Sequence, residues 1–222
     1  MNILEAIESR HSVRSYTDKP IAKETLAELN KEIENCNRES GLSIRLVTDE
    51  PEAFSSFMAR YGKFSGVKNY FAMIGKKGSG LDEKVGYYGE KLVLKAQKLG
   101  LNTCWAALTF SKKNCKPFIQ KGEKLVCVIA VGYGATQGVQ HKNKDMSELY
   151  HADETAPEWF MRGMRAAMLA PTATNQQKFM FSYKNGLVGA RATGGFYSKV
   201  DLGIVKYHFE IGAGRENFKW EA

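Results

Sequence analysis

Residues 9–18 read Ser-Arg-His-Ser-Val-Arg-Ser-Tyr-Thr-Asp, and Arg10, Ser12 and Arg14 alternate within them. Alternation at period two sets these side chains on one side of an extended segment. Two guanidiniums and a hydroxyl on one face suit a phosphate, because arginine forks onto phosphate oxygens with charge-assisted, often bidentate hydrogen bonds. The competing reading is a solvated basic loop ahead of a strand or helix. A second stretch, Ala170-Pro-Thr-Ala-Thr-Asn-Gln-Gln177, presents hydroxyl and amide groups, and its plainer reading is a Pro-Thr turn at a helix end. A third, Asn102-Thr-Cys-Trp-Ala-Ala-Leu108, is an apolar, small-residue loop whose Trp105 also fits a core aromatic.

Other motifs carry less. Gly75-Lys-Lys-Gly-Ser-Gly80 lacks the spacing of a phosphate loop and the helix that should open behind its lysine, so it reads as a mobile loop. Gly132-Tyr-Gly-Ala-Thr-Gln-Gly138 follows a strand as a dinucleotide loop does. The polar, lysine-bearing segment after it does not supply the required helix and second strand. Cys36, Cys104, Cys115 and Cys127 show no CxxC spacing, and Cys127 sits in an apolar run, which argues against a disulfide framework or structural zinc site. The histidines at 11, 141, 151 and 208 are scattered, so no metal site is assigned.

The elements that must position these residues follow from periodicity. Helices are expected over 2–9, from Lys23 to about Asn35, over Pro51–Arg60, over 82–99, from Pro157 to about Met168, and over Ser198–Gly212. In the 82–99 helix Val85, Tyr88, Leu92, Ala96 and Leu99 follow helical spacing, and Gly100 stands where a C-cap belongs. Strands are expected over Leu42–Thr48, Asn69–Gly75, Leu125–Val131 and Lys178–Tyr183, a second short strand or a turn over Val188–Gly195, and loops at Asn37–Gly41 and Tyr61–Gly66. Leu125–Val131 is apolar on both faces and therefore central in a sheet. Helix–loop–strand recurs at 23–47 and 157–183, and a helix ending before a loop that closes on tryptophan recurs at 85–105 and 199–220. A weak duplication is the economical explanation, although two helix–strand units look alike in any α+β protein.

The 222 residues suffice for one full domain or two small ones. No apolar run reaches membrane-spanning length and no signal peptide opens the chain, so a cytoplasmic protein with no membrane partner is expected. A formal charge of +8 favours an anionic ligand. It would also suit nucleic acid, but no zinc finger, RNP-like strip or helix-turn-helix pattern accompanies it, and no nucleic-acid partner is expected.

Taken together, three motifs resemble the FMN-dependent nitroreductase family. Arg10-His-Ser-Val-Arg-Ser-Tyr-Thr-Asp-Lys-Pro20 is similar to its R-x-S-x-R phosphate strip, Ala170–Gln177 to its A-P-S-x-x-N-x-Q flavin loop, and Tyr88–Trp105 to its helix and G-L-G-T-C-W loop. The strand Leu125–Val131, Gly132-Tyr133 and the later Lys142–Tyr150 resemble the family's ending. The order departs from the family, where the A-P-S loop directly follows the first helix. Here Cys36–Gly41 occupies that place and the loop comes after residue 169. The resemblance is to a fused subgroup in which one chain stands for the usual homodimer.

That resemblance implies an α+β, nitroreductase-like fold: an antiparallel-dominated sheet with helices packed around it and two related halves. Residues 1–150 would hold the strip, the Thr-Cys-Trp loop and the basic tail, and 151–222 the Ala-Pro-Thr loop. FMN is the implied cofactor. Its phosphate would lie among Arg10, Ser12, Arg14, Lys142 and Lys144, with His11 as a backbone or structural contact. Pro171, Thr172, Ala173, Thr174, Asn175 and Gln177 would meet the ribityl chain or ring edge. Trp105, Ala106, Ala107 and Leu108 would line the reactive edge, and Tyr61 and Lys63 the pyrimidine side. No catalytic side chain is implied. NAD(P)H would reduce the flavin, which would pass hydride to a nitroaromatic, quinone or similar acceptor; the alternative is an FMN-binding or scaffold protein of the same fold without turnover. The chain would act as a monomeric pseudo-dimer or a weak homodimer.

Overall fold

A computed structural model describes residues 1–115 and 118–221. Two compact units divide the chain, one formed by Arg10–Leu81 and Lys91–Gln140, the other by Met1–Ser9, Asp82–Glu90 and His141–Ala222.

In the first unit β1 (Arg45–Val47), β2 (Tyr70–Lys76), β3 (Asn102–Ala106) and β4 (Glu123–Gly132) form an antiparallel sheet in the order β1-β2-β4-β3. As its two-sided apolar run predicts, β4 is paired on both edges. Tyr70 of β2 and Cys104 of β3 both stand opposite Ala130. Tyr70, Ala72, Cys104, Ala106, Val128 and Ala130 therefore share a face, and with Val13, Tyr16, Phe54 and Phe64 they make the core.

Three expectations are corrected here. The helix from Lys23, with α1 (Ile3–Ser9) before it in sequence, is α2 (Lys23–Ser40), and it runs through 37–40, where a loop was expected. Cys36 and Ser40 extend the buried face begun by Leu29 and Ile33, and Gly41 ends the helix at φ 72°. The helix expected over 51–60 breaks into a single turn at Glu52–Phe54 and α3 (Phe57–Tyr61), because Ser56 turns extended and accepts a hydrogen bond from Ala59 N. Residues 102–106, expected as loop, are strand β3. Its pairing partner lies far along the chain, where periodicity cannot reveal it.

The first unit also includes the second half of α4 (Leu81–Lys98), joined to α2 by Lys91–Glu39 at 3.0 Å and Lys95–Glu28 at 2.7 Å, and the short α5 (Lys112–Cys115).

The second unit carries β5 (Tyr150–Ala152), β6 (Phe179–Lys184), β7 (Leu187–Ala192) and β8 (Lys219–Trp220) in that spatial order. β6 and β7 form an antiparallel hairpin, and β5 and β8 flank it in parallel. The expected α+β fold with mainly antiparallel pairing therefore holds, with the pairing distributed over two sheets. Around the second sheet lie α6 (Glu158–Met168), α7 (Ser198–Ala213), α1 and the first half of α4. Phe160, Phe181, Phe209, Phe218 and Trp220 fill the space between α6, α7 and the strands.

α7 is approached closely from α4. A Cβ on Gly86 would lie 1.9 Å from Val200 O, and one on Gly203 would lie 2.0 Å from Glu83 O. Only glycine lets these two backbones touch. One turn further on, fully buried Glu90 accepts from or donates to His208 Nε2 at 3.0 Å, while His208 Nδ1 donates to Ala166 O at 3.0 Å. A side chain on α4 and a carbonyl on α6 are thus joined through one imidazole on α7.

Candidate functional site

In the first unit the Arg10–Tyr16 strip is extended, as its alternation predicts. It leans on β3 through Val13 N–H to Thr103 O at 3.0 Å and a bridge between Ser12 and Thr103. Beyond Arg14 it changes neighbour: Ser65 N donates to Arg14 O and Tyr16 N donates to Ser65 O, each at 3.0 Å. Thr17 N then donates to Tyr133 O and Ala135 N to Ser15 O. The glycine-rich 132–138 segment is therefore structural support for the strip, and Gly134 N is held by Asn102 Oδ1 at 3.0 Å.

Exposure along the strip does not follow a strict period of two. Arg10 and Val13 are buried, His11 and Ser12 half-buried, Arg14 exposed and Tyr16 buried. Val13 and Tyr16, three residues apart, both enter the core and pin the backbone on either side of Arg14. Arg14 then lines a cavity of about 360 Å³ together with Tyr61, Gly62, Lys63, Phe64, Trp105 and Thr109. Four residues singled out from sequence, Arg14, Tyr61, Lys63 and Trp105, thus meet around one space. Tyr61 is 76% exposed at its edge, and Lys63 takes a left-handed φ of 60°. Ala106, the last residue of β3, is buried on its core face, Ala107 is half-buried and Leu108 is exposed. Burial pushes the Cys104 thiol and the Tyr16 hydroxyl up, so neither offers an anion beside the arginines.

In the second unit the 170–177 loop and the 142–144 segment are joined. Buried Gln177 accepts from Lys144 N at 3.0 Å through Oε1 and donates through Nε2 to Lys142 O at 2.9 Å and Asn175 Oδ1 at 3.1 Å. Asn175 Nδ2 donates to the same Lys142 O at 2.8 Å. Gln177 N donates to Thr172 Oγ1 at 3.1 Å. Ala170 and Pro171 are buried, whereas Thr174, Asn175, Lys142 and Lys144 are exposed. Thr174, Asn175 and Gln177 all take positive φ, at 51°, 56° and 47°. Left-handed non-glycine residues cost on the order of 1 kcal/mol each and persist only where their surroundings hold them.

Sequence reasoning missed one of the groups that hold them. Asp201, 3% exposed in the first turn of α7, accepts from Ala173 N at 2.9 Å and from Gln176 Nε2 at 2.7 Å. Its signal was present: an acid enclosed in Val200-Asp-Leu-Gly-Ile-Val205 has no business in a buried stripe without partners. Phe64 and Thr109 of the cavity carried no such signal.

Residues 2–213 match the family model described as "Putative TM nitroreductase", and the chain belongs to that nitroreductase family. A "putative nitroreductase" from Thermotoga maritima is similar over 97% of this chain and 85% of its own, with TM-score 0.70 and 25% identity. A "putative nitroreductase" from Desulfovibrio desulfuricans, solved in complex with FMN, covers 71% of this chain and 99% of its own at TM-score 0.55 and 18% identity. The NfrA1 nitroreductase of B. subtilis covers 70% of this chain and 75% of its own at TM-score 0.56 and 16% identity. No curated protein matches. Among the described residues no helix is long and apolar enough to cross a membrane.

Proposed function

We propose that the protein is an FMN-dependent oxidoreductase that takes hydride from NAD(P)H and delivers it to a nitroaromatic, quinone or similar small acceptor. The observation that carries this is the cavity flanked by Arg14 and Lys63 and walled by Trp105, in a chain of the nitroreductase family. About 360 Å³ falls within the roughly 300–1,000 Å³ of small-molecule sites. The residues fit the cofactor. A phosphate dianion needs cations and donors held in place beforehand, and the strip supplies them on backbone pinned by Val13 and Tyr16. An isoalloxazine needs a flat apolar wall, and Trp105, which lines the cavity, offers one. FMN, when bound, supplies the two-electron chemistry that links a nicotinamide to an acceptor.

The chain's own residues bind and orient. Arg14, Ser12 and Arg10 are assigned to the phosphate, with His11 beside them. Tyr61, Lys63, Trp105 and the following Ala106, Ala107 and Leu108 are assigned to the ring. Pro171, Thr172, Ala173, Thr174, Asn175 and Gln177, with Lys142 and Lys144, are assigned to the flavin on the family resemblance; their hydrogen-bonded loop supports that assignment. No side-chain acid or base is required, and the protonated, buried Cys104 does not compete as a thiolate nucleophile.

The absorption spectrum of the purified protein tests the proposal. Flavin bands, or their appearance after FMN is added and excess removed, together with NAD(P)H oxidation in the presence of a nitroaromatic, are expected. A protein that refuses FMN overturns it. One that retains FMN but oxidises no nicotinamide is a flavin-binding protein without turnover.

A further inference from the structure

The Ala173–Gln176 turn is held by a carboxylate that plays no part in the assignments above. Asp201 Oδ1 accepts the Ala173 N–H at 2.9 Å and Oδ2 accepts from Gln176 Nε2 at 2.7 Å. The same Gln176 amide nitrogen also donates to Phe196 O at 2.7 Å. One carboxylate therefore joins the strained 172–177 loop to the turn that opens α7, where Tyr197 also takes a positive φ of 56°. The fit there is close, since a Cβ on Gly195 would lie 2.2 Å from Gln176 Oε1. The loop passes the constraint on, because Gln177 bonds both Lys144 N and Lys142 O.

Two N–H donors on two carboxylate oxygens suit an ionised acid best. An ionised carboxylate is acceptor-only; protonation turns one oxygen into a hydroxyl, a poorer acceptor whose O–H needs a partner of its own in a buried place. We propose that Asp201 is a positioning residue, and that its ionised form holds the 172–177 loop in the shape that binds FMN while its protonated form releases it. The proposal rests on the assignment of this loop to the flavin.

Burial is the largest influence on this carboxyl and raises it from the ordinary 3.8 to about 6, and the bonds from Gln176 and Ala173 N oppose the rise. With Asp201 still buried in α7, a loop that lets go removes those two opposing bonds and leaves the carboxyl easier to protonate, so protonation favours the released loop; against the unfolded chain, where the burial is lost as well, the same carboxyl acts with the opposite sign. The titratable and charged side chains of the elements packed against α7 are Glu5 and Glu8 on α1, Asp82, Glu83, Lys84 and Glu90 on α4, Glu158, Arg162 and Arg165 on α6, Lys184 on β6, Arg191 on β7, and Arg215 and Glu216 after α7; Lys178 follows the loop, and α7 itself carries Lys199, Lys206, His208 and Glu210. None of them is among the causes of the shift, so the switch depends on burial and the two neutral donors.

The test compares wild type with Asp201→Asn and Gln176→Ala, each first confirmed as folded by circular dichroism. Hydrogen exchange of the 173–177 amides is measured in the flavin-free protein from pH 5 to 8, corrected for intrinsic rates, and FMN affinity is measured over the same range. Wild-type protection of these amides is expected to fall as pH drops through 6, and FMN affinity to fall by up to about tenfold between pH 7 and 5 beyond the effect of the ligand itself. The FMN phosphate titrates near pH 6 as well. The difference between wild type and Asp201→Asn therefore carries the test. The variant should show weak protection at every pH, and the Asp201 share of the affinity change should vanish. Gln176→Ala should lower protection while keeping part of the pH dependence. Loop protection that does not change with pH in wild type overturns the proposal, even if neither variant folds. So does an Asp201→Asn protein with the wild-type profile. If wild type takes up no FMN, the assignment of the loop to the flavin fails, whereas the exchange profile still decides whether Asp201 is the latch.

Discussion

Arg14 shows how a single residue becomes available for binding. Its neighbours Val13 and Tyr16 are buried to 1% and 8%, and the chain pairs with Thr103 on one side and Ser65 on the other. The guanidinium is left exposed at the cavity with its backbone already fixed, so binding a phosphate costs only the freedom of its side chain, about 0.5–1.5 kcal/mol. Hydrogen bonds to charged groups contribute roughly 1.5–3 kcal/mol. Arg14→Ala should therefore weaken FMN binding by about tenfold to a hundredfold, measured by flavin fluorescence titration, and Arg14→Lys should fall between, since lysine keeps the charge and loses the fork. Asn175→Ala should also weaken it, because the bond to Lys142 O is lost and alanine tolerates φ 56° poorly. Arg38→Ala, at the exposed end of α2, should leave FMN affinity unchanged.

At the scale of elements, α7 organises the second unit through backbone contact. With backbone oxygens 1.9 and 2.0 Å from where the side chains of Gly86 and Gly203 would begin, the α4–α7 crossing has no room for a methyl group. Gly203→Ala improves helix propensity by about 1 kcal/mol. Overpacking against rigid backbone costs about 1–3 kcal/mol or more, so the variant should be net destabilised, seen as a lower urea midpoint with an unchanged slope. The 170–177 loop is the opposite kind of element. It is short of regular structure and carries three left-handed residues, and its shape depends on Thr172, Gln177 and Asp201 rather than on a repeating backbone pattern.

At the scale of the molecule, pH acts through carboxyl groups shifted in opposite directions. Asp201 is raised when folded, to about 6, so its contribution to stability is fully present below the ordinary 3.8 and is lost as pH rises through 6. Asp18, Glu28 and Asp153 are lowered by hydrogen bonds to Lys68, Lys95 and Lys184; what they contribute is present above their ordinary values and lost as pH falls below them. These three are exposed and salt-screened, and their share is small. Asp201→Asn should therefore remove a decline on the order of 3 kcal/mol between about pH 4 and 6, measured as the difference between wild-type and variant unfolding free energies across that window. A stability that depends on pH in the same way in both proteins would contradict the burial of this charge.

Much was legible without coordinates because it depends on neighbours in sequence. The extended strip, the central strand β4, the helices at 82–98 and 158–168, and the small polar loop before β6 are all local patterns of burial and turn chemistry. The types of residue at Arg14, Trp105 and Asn175 likewise announced cationic, aromatic and amide chemistry. Tertiary structure alone decided what lies far apart in the chain. Thr103 pairs with Ser12, Tyr61 and Lys63 share a cavity with Trp105, and Asp201 bonds Ala173. It also decided that Arg10 is buried while Arg14, on the same alternation, is not. Periodicity records which side of its own element a residue occupies. Which distant backbone donor or oxygen meets that side is set by packing, and there the buried carboxylate on α7 came to govern a loop whose own sequence does not mention it.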